Sequence, residues 1–225
     1  MSDKVYIVGA GGFSAEITEY IVDNNDHLDH EIEISGYFDL KNDEYEKYKF
    51  NAPYLGDERE YNLNKNSKFI IAISNPKLRG GIYDDFKKRG CEVSTFIHHS
   101  CFISKSSSIA EGAIICPFVT ITSNAKIGVN FQANIYSYVA HDCIIGNNVT
   151  FAPGVKCNGN VEIKDNVYIG TGVIIKQGKS SRPIVIGKDS IISAGAVITK
   201  NVPDGTTVFG NPAIKLTKEN LKKRS

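Results

Sequence analysis

The sequence predicts a two-part fold: a small α/β domain over residues 1–97, followed by a parallel β-helix over residues 98–225. Three features carry this expectation. Apolar residues recur at every sixth position through the second half, a glycine-rich turn follows the first apolar run, and strand-like and helix-like patterns alternate through the first half.

The opening stretch "KVYIVGAGGFSAEITEYIV" reads as a buried strand over 5–8, a turn at Gly9, Gly11 and Gly12, and a helix with Ile17, Tyr20 and Ile21 on one face. "EISGYFD" follows as a strand ending in Asp39, and "KFIIAIS" as a strand ending in Ser74. A second helix opens near Asn75 and Pro76, where the fixed φ of proline suits a first turn, and "CEVSTFI" is a further strand. This βαβ alternation is a Rossmann-like sheet. Its glycine loop lacks the third glycine of the dinucleotide fingerprint, and a half-size unit accommodates one nucleotide better than two. In that reading the backbone N–H groups at the helix start, around Gly11, Gly12 and Phe13, bind phosphate. Asp39 and its neighbour Leu40 meet the ribose or base from the end of the second strand, with Ser74 and Asn75 at the end of the neighbouring one.

The second half follows a stricter rule. Steps of six from Ile103 reach Ile109, Ile115, Ile121, Ile127, Ala133, Val139, Ile145, Phe151, Cys157, Ile163, Ile169 and Ile175. A helix cannot use this spacing, because six residues rotate the apolar position away from any fixed face. The residue two before each of these is mostly small or β-branched, as expected for side chains that share one face of a strand. Short strands joined by corners and stacked coil on coil bury one continuous aliphatic column. The phase breaks at "KQGKSSRPIV", residues 176 to 185, and returns at Ile186, Ile192 and Ile198, so a polar excursion interrupts an intact coil.

Composition narrows the partners. Lys+Arg 26 against Asp+Glu 25 leaves a net charge of +1, which supplies neither a nucleic-acid nor a membrane surface and points to a small ligand. Cys91, Cys101, Cys116, Cys143 and Cys157 contain no CxxC pair and read as reduced core thiols. The first apolar run is too short for a signal sequence or a spanning helix, so the expected setting is cytoplasmic. His27 and His30 are expected in a polar loop and His98 and His99 at the domain junction. No histidine pair has metal-ligand spacing, and no metal is assigned. That leaves His141, two residues after the inward Val139, at a corner where side chains face outward, with Asp142 beside it.

The run "IIGNNVTFAPGVKCNGNVEIKDNVYIGTGVIIKQG" resembles the hexapeptide-repeat acyltransferases with a left-handed β-helix, and "VFGNPAIKL" resembles their closing segment. With "GAGGF", "IAISN", "AHDCIIG" and "GNPA", nearly the whole chain is similar to bacterial acetyltransferases of nucleotide-linked 4-amino-4,6-dideoxy-sugars and their sialic-acid O-acetylating relatives. The resemblance implies a left-handed coil, a homotrimer, acetyl-CoA lying along the β-helix between subunits, and a nucleotide-linked amino sugar in the first domain. It implies His141 as general base and Asp142 as the residue that strengthens it. It also implies acetyl-CoA contacts at Thr150, Gly170, Thr171, Ala194 and Gly195. The chain departs from some members at Phe13 and Thr150, where they carry histidine.

The resulting expectation is an acetyl-CoA-dependent N-acetyltransferase for surface polysaccharide or glycan synthesis. The alternatives are a sugar or sialic-acid O-acetyltransferase and a non-catalytic nucleotide-sugar-binding scaffold. The "HD" corner argues against the scaffold. An NAD-dependent oxidoreductase is disfavoured by the incomplete fingerprint and by the repeats.

Overall fold

A computed structural model describes residues 3–29, 31–61 and 67–222. The first domain runs β1 (Asp3–Val8), α1 (Gly12–His27), β2 (Ile32–Phe38), α2 (Asp43–Tyr48), β3 (Lys68–Ile71), α3 (Pro76–Lys88) and β4 (Glu92–Val93). Its sheet has the order β2-β1-β3-β4 and every pairing is parallel. Gly9 turns the chain out of β1 at φ +101°, and a Cβ there would meet the Ala72 carbonyl oxygen at 3.0 Å, so glycine is required. Ile17 and Ile21 of α1 are buried under the sheet as the pattern predicts. At α3, Asn75 is the N-cap, its side chain accepting from the Leu78 N–H at 3.0 Å, and Pro76 occupies the first turn.

The second domain is a three-sided prism of stacked coils. The first face starts at Phe96–Ile97, the second at Phe102–Ile103 and the third at Ser108–Ile109, and each strand pairs in parallel with its counterpart one coil on. The inward residues of the six-step register are mostly fully buried and form one column, as the sequence predicts. Burial of each isoleucine contributes roughly 1.5–3 kcal/mol. Corners close through left-handed residues, and the sequence supplies types that tolerate this: Asn130, Asn148, Asn166 and Asp189 on one edge, and Gly154, Gly172 and Gly195 on another. On the first of these edges the side chains hydrogen-bond as a ladder, Asn130 to Asn148 at 2.9 Å, Asn148 to Asn166 at 3.1 Å and Asn166 to Asp189 at 3.0 Å. The polar excursion at 176–185 is a small hairpin in which Lys179 and Arg182 pair across a turn at Ser180 and Ser181. All five cysteines are free thiols.

Four features differ from the sequence reading. "CEVSTFI" is not one strand: Glu92–Val93 ends the first sheet while Phe96–Ile97 pairs with Ile114–Ile115, so the coils begin two residues ahead of position 98. α2 has no counterpart in the expected elements. His27 lies in the last turn of α1 rather than in a loop, whereas His30 is outside the described residues. His98 and His99 are at the domain junction as expected, each placing Nε2 2.8 Å from Asp23 of α1, so that these rings tie α1 to the first coil. Asp23, His27 and His99 bring their ligand atoms within 4.8 Å of one another, a proximity that sequence spacing did not show.

The first domain straddles the first face, with α1 and α3 on its two edges. The fixing residue is Arg79 of α3, which is fully buried. Its guanidinium donates to the carbonyl oxygens of Ile73 at 2.7 Å, Asn148 at 2.9 Å, Asn130 at 3.0 Å and Val149 at 3.3 Å, and to Gln132 Oε1 at 3.2 Å. Burial pushes its pKa down to about 9, still above neutral, so a cation is held between the domains by oxygen dipoles. Gln132 donates in turn to the Ile71 carbonyl at 2.8 Å, and Thr150 to the Ser74 carbonyl at 2.9 Å. Arg79→Ala strips these acceptors of their donor and is expected to cost about 3 kcal/mol or more, read as a lower thermal midpoint. A loss under about 1 kcal/mol contradicts the role.

Candidate active site

His141 and Asp142 occupy the edge between the second and third faces, opposite the face that the first domain covers. His141 Nδ1 lies 2.8 Å from Asp142 Oδ2, and both side chains are about half exposed. Asp142 takes the left-handed corner conformation, φ +59°, which turns its carboxylate back beside the ring. Its other oxygen accepts from Asn124 Nδ2 at 3.2 Å, one coil earlier. These two hydrogen bonds hold the Asp142 carboxyl below the usual carboxylate range. On the other side the ring lies over Gly159 of the next coil, where a Cβ would fall 2.5 Å from Nε2. An Nδ1–H held by the carboxylate leaves Nε2 as the unprotonated, proton-accepting nitrogen.

The residues assigned to substrate divide between two pockets. A pocket of about 440 Å³ opens at the carboxyl ends of β1, β2 and β3, and Asp39 and Leu40 line it with Gly9, Arg59 and Lys77. Asp39 is partly engaged there: Oδ2 accepts the Ala10 N–H at 2.8 Å and Oδ1 the Leu40 N–H at 2.7 Å, which fixes the glycine loop. Phe13 and Ser74 instead line a smaller pocket of about 160 Å³ between the domains, with Asn134, Thr150 and Thr171. Gly11 and Gly12 form the turn into α1, where no side chain caps the helix and Tyr48 would lie 3.1 Å from a Gly12 Cβ. Asn75 lines neither pocket, because its side chain caps α3.

The residues assigned to acetyl-CoA gather on one edge, between the first and second faces. Gly170 is pressed against the backbone of Ala194, with a Cβ 2.6 Å from its nitrogen, and Thr171, Ala194 and Gly195 are exposed beside it. Thr150 lies just before that edge, its hydroxyl turned to Ser74. One chain therefore carries the His141 edge and the pocketed edge on different corners of its prism. Sequence reasoning missed Lys77 and Arg59, the cations of the larger pocket, as well as Asn134 and Gly159. A glycine coming eighteen residues after a corner histidine was the available signal for the last.

Because the Asp142 carboxyl is depressed in the folded chain, its bond to His141 is in force above the ordinary carboxylate range and is lost as pH falls through the lowered value. His141→Ala is expected to move the Asp142 titration, followed by carbon NMR, up toward that of a free aspartate. An unmoved midpoint contradicts the pairing.

A stacked-coil prism with a histidine–carboxylate corner and an appended nucleotide-sized pocket defines a hexapeptide-repeat acyltransferase. A family model for the PglD N-terminal domain matches residues 4–86. GDP-perosamine N-acetyltransferase of Escherichia coli O157:H7 is 53% identical over 162 residues, 72% of this chain and 69% of that protein. WeeI from Acinetobacter baumannii AYE has the same fold with a TM-score of 0.81 at 38% identity, over 95% of this chain and 100% of that one. The acetyltransferase domain of PglB from Neisseria gonorrhoeae FA1090, solved in complex with acetyl coenzyme A, gives 0.81 at 25% identity, over 96% and 100%. The chain belongs to the left-handed β-helix sugar acetyltransferases, in the branch with a PglD-type N-terminal domain.

Proposed function

We propose that this acetyltransferase transfers the acetyl group of acetyl-CoA to the amine of a nucleotide-linked 4-amino-4,6-dideoxy-sugar, with GDP-perosamine as the leading substrate, in surface polysaccharide or glycan synthesis. The observation that carries this reading is the His141–Asp142 pair, in a chain 53% identical over 162 residues to a GDP-perosamine N-acetyltransferase. The amine nitrogen attacks the thioester carbonyl, His141 Nε2 takes the amine proton, and the C–S bond breaks to release CoA as its thiol. Asp142 orients the imidazole and stabilises its protonated form. The larger pocket takes the nucleotide, with Asp39, Leu40, Lys77 and Arg59 around it, and the pocket between the domains takes the sugar. Acetyl-CoA runs along Thr150, Gly170, Thr171, Ala194 and Gly195.

The two edges of one prism point in different directions, so a neighbouring subunit supplies the missing half of each site. That supports a homotrimer. Buried, reduced thiols support a cytoplasmic setting, and no described helix is long and apolar enough to cross a membrane.

Acetyl-CoA is to be incubated with GDP-, UDP- and dTDP-linked 4-amino sugars and with sialic acid, followed by product mass. An N-acetylated nucleotide sugar is expected, and acetylation of sialic acid alone contradicts the reading. His141→Ala is expected to lower kcat by about 10²–10⁴-fold with binding largely kept. Asp142→Asn costs less. Removing the negative charge beside Nδ1 makes the protonated ring less stable, so the acidic limb of kcat/KM moves to lower pH. Wild-type turnover in His141→Ala contradicts the assignment.

A further inference from the structure

Asp23 and His27 stand one turn apart on α1, so their side chains share one face of the helix. The corner of the first coil, His98 and His99, is packed against that face. A buried clamp sets the approach: Asn24 donates to the Ile97 carbonyl at 3.0 Å and accepts the His99 N–H at 2.7 Å. His98 is buried behind the carboxylate, and its tautomer follows from its neighbours. Its Nδ1 accepts from the Ser100 N–H at 3.3 Å and lies 2.8 Å from Ser100 Oγ, so its Nε2–H is the donor to Asp23 Oδ2 at 2.8 Å. On the outer side Oδ2 also lies 2.8 Å from His99 Nε2, and Oδ1 faces His27 Nδ1 at 3.5 Å. The Nδ1–H of His27 donates to the Asp23 carbonyl at 2.8 Å, which anchors the ring to its own helix and leaves a lone pair on the other nitrogen. The rings of His27 and His99 stack with centroids 4.1 Å apart.

Among the described residues, Asp23, His27 and His99 are the one group of three such side chains that bring their ligand atoms together, all within 4.8 Å of one another. Donors bound to one tetrahedral zinc at 2.0–2.1 Å stand about 3.3 Å apart, so closure asks for side-chain shifts of about an ångström. His27 is more than half exposed and has the room to move. We propose that Asp23, His27 and His99 bind a divalent transition cation of the zinc class, with a water in the fourth position and His98 orienting the carboxylate from the buried side. The ion takes the place of the proton that His99 Nε2 shares with the carboxylate. Two imidazoles with one carboxylate suit zinc, whereas magnesium and calcium take oxygen donors. The site lies between the first and second faces at the first coil, on a different edge from His141. It joins α1 to the coil on the side away from Arg79 of α3, so a bound ion is a second tie between the domains. Nothing in it depends on the acetyl-transfer reading.

Two measurements test the site on the full-length protein after dialysis against a chelator. The first is calorimetric titration with Zn²⁺ of wild type, His27→Ala and His99→Ala, with His141→Ala as the control for the other exposed imidazole. Wild type and His141→Ala are expected to bind one zinc per chain, with affinity about tenfold or more weaker in His27→Ala and in His99→Ala. The second is the thermal midpoint as Zn²⁺ is raised. It is expected to climb in wild type and to stay level in His27→Ala, and Mg²⁺ is expected to move neither. His27 is exposed at the end of its helix, so its removal leaves the fold intact and decides the matter alone if His99→Ala does not fold. No saturable zinc binding by wild type, wild-type affinity in either variant, or a loss in His141→Ala instead overturns the site. A midpoint that rises equally in wild type and His27→Ala marks an adventitious ion only and overturns it as well.

Discussion

Each coil hydrogen-bonds its backbone to the coil after it, and that register places everything functional in the second domain. Eighteen residues separate Asn124 from Asp142, and the Asn124 amide reaches the Asp142 carboxylate because the coils are in step. The same step lays the His141 ring over Gly159 and brings Gly170 against Ala194 after the inserted hairpin. The buried column of isoleucine and valine keeps the register, since a slip would turn its side chains to water. The histidine corner is thus positioned by core packing that touches no substrate.

The register also fixes where the first domain and His141 lie on the prism. The first domain covers the first face and is locked there by Arg79, whose partners come from α3's own approach and from two successive corners. His141 sits on the opposite edge. The larger pocket and His141 of one chain lie on opposite sides of the prism. Under the proposed function, base and pocket are therefore shared between copies.

Much of this was legible in the sequence because buried periodicity leaves a strong trace. Thirteen apolar positions in step mark the column, and the turn chemistry of asparagine and glycine marks the corners. The strand at Phe96–Ile97 was hidden because a single short apolar pair looks the same in either sheet. Arg79 reads as an ordinary helix cation, and the acceptors that lock it to the coils, three backbone carbonyls and the Gln132 side chain, lie 51 to 70 residues away, which no motif records. Asn75 reads as a strand-end ligand, whereas its side chain caps α3: a cap and a strand-end ligand occupy the same place in the chain. Asp39 lines the larger pocket, but its two bonds to Ala10 and Leu40 depend on how the glycine loop folds back.

The most direct test of the account is whether the base and the acceptor pocket of one working site come from different subunits. His141→Ala removes the base and leaves the pocket intact, whereas Thr171→Trp, at an exposed position lining the pocket between the domains, fills the pocket and leaves the base. Acetyl transfer is to be measured for each variant alone and for assemblies formed by co-expressing both. The account predicts two nearly inactive parents and mixed assemblies with turnover well above either. Mixed assemblies no more active than their parents would contradict it, because base and pocket would then belong to a single chain.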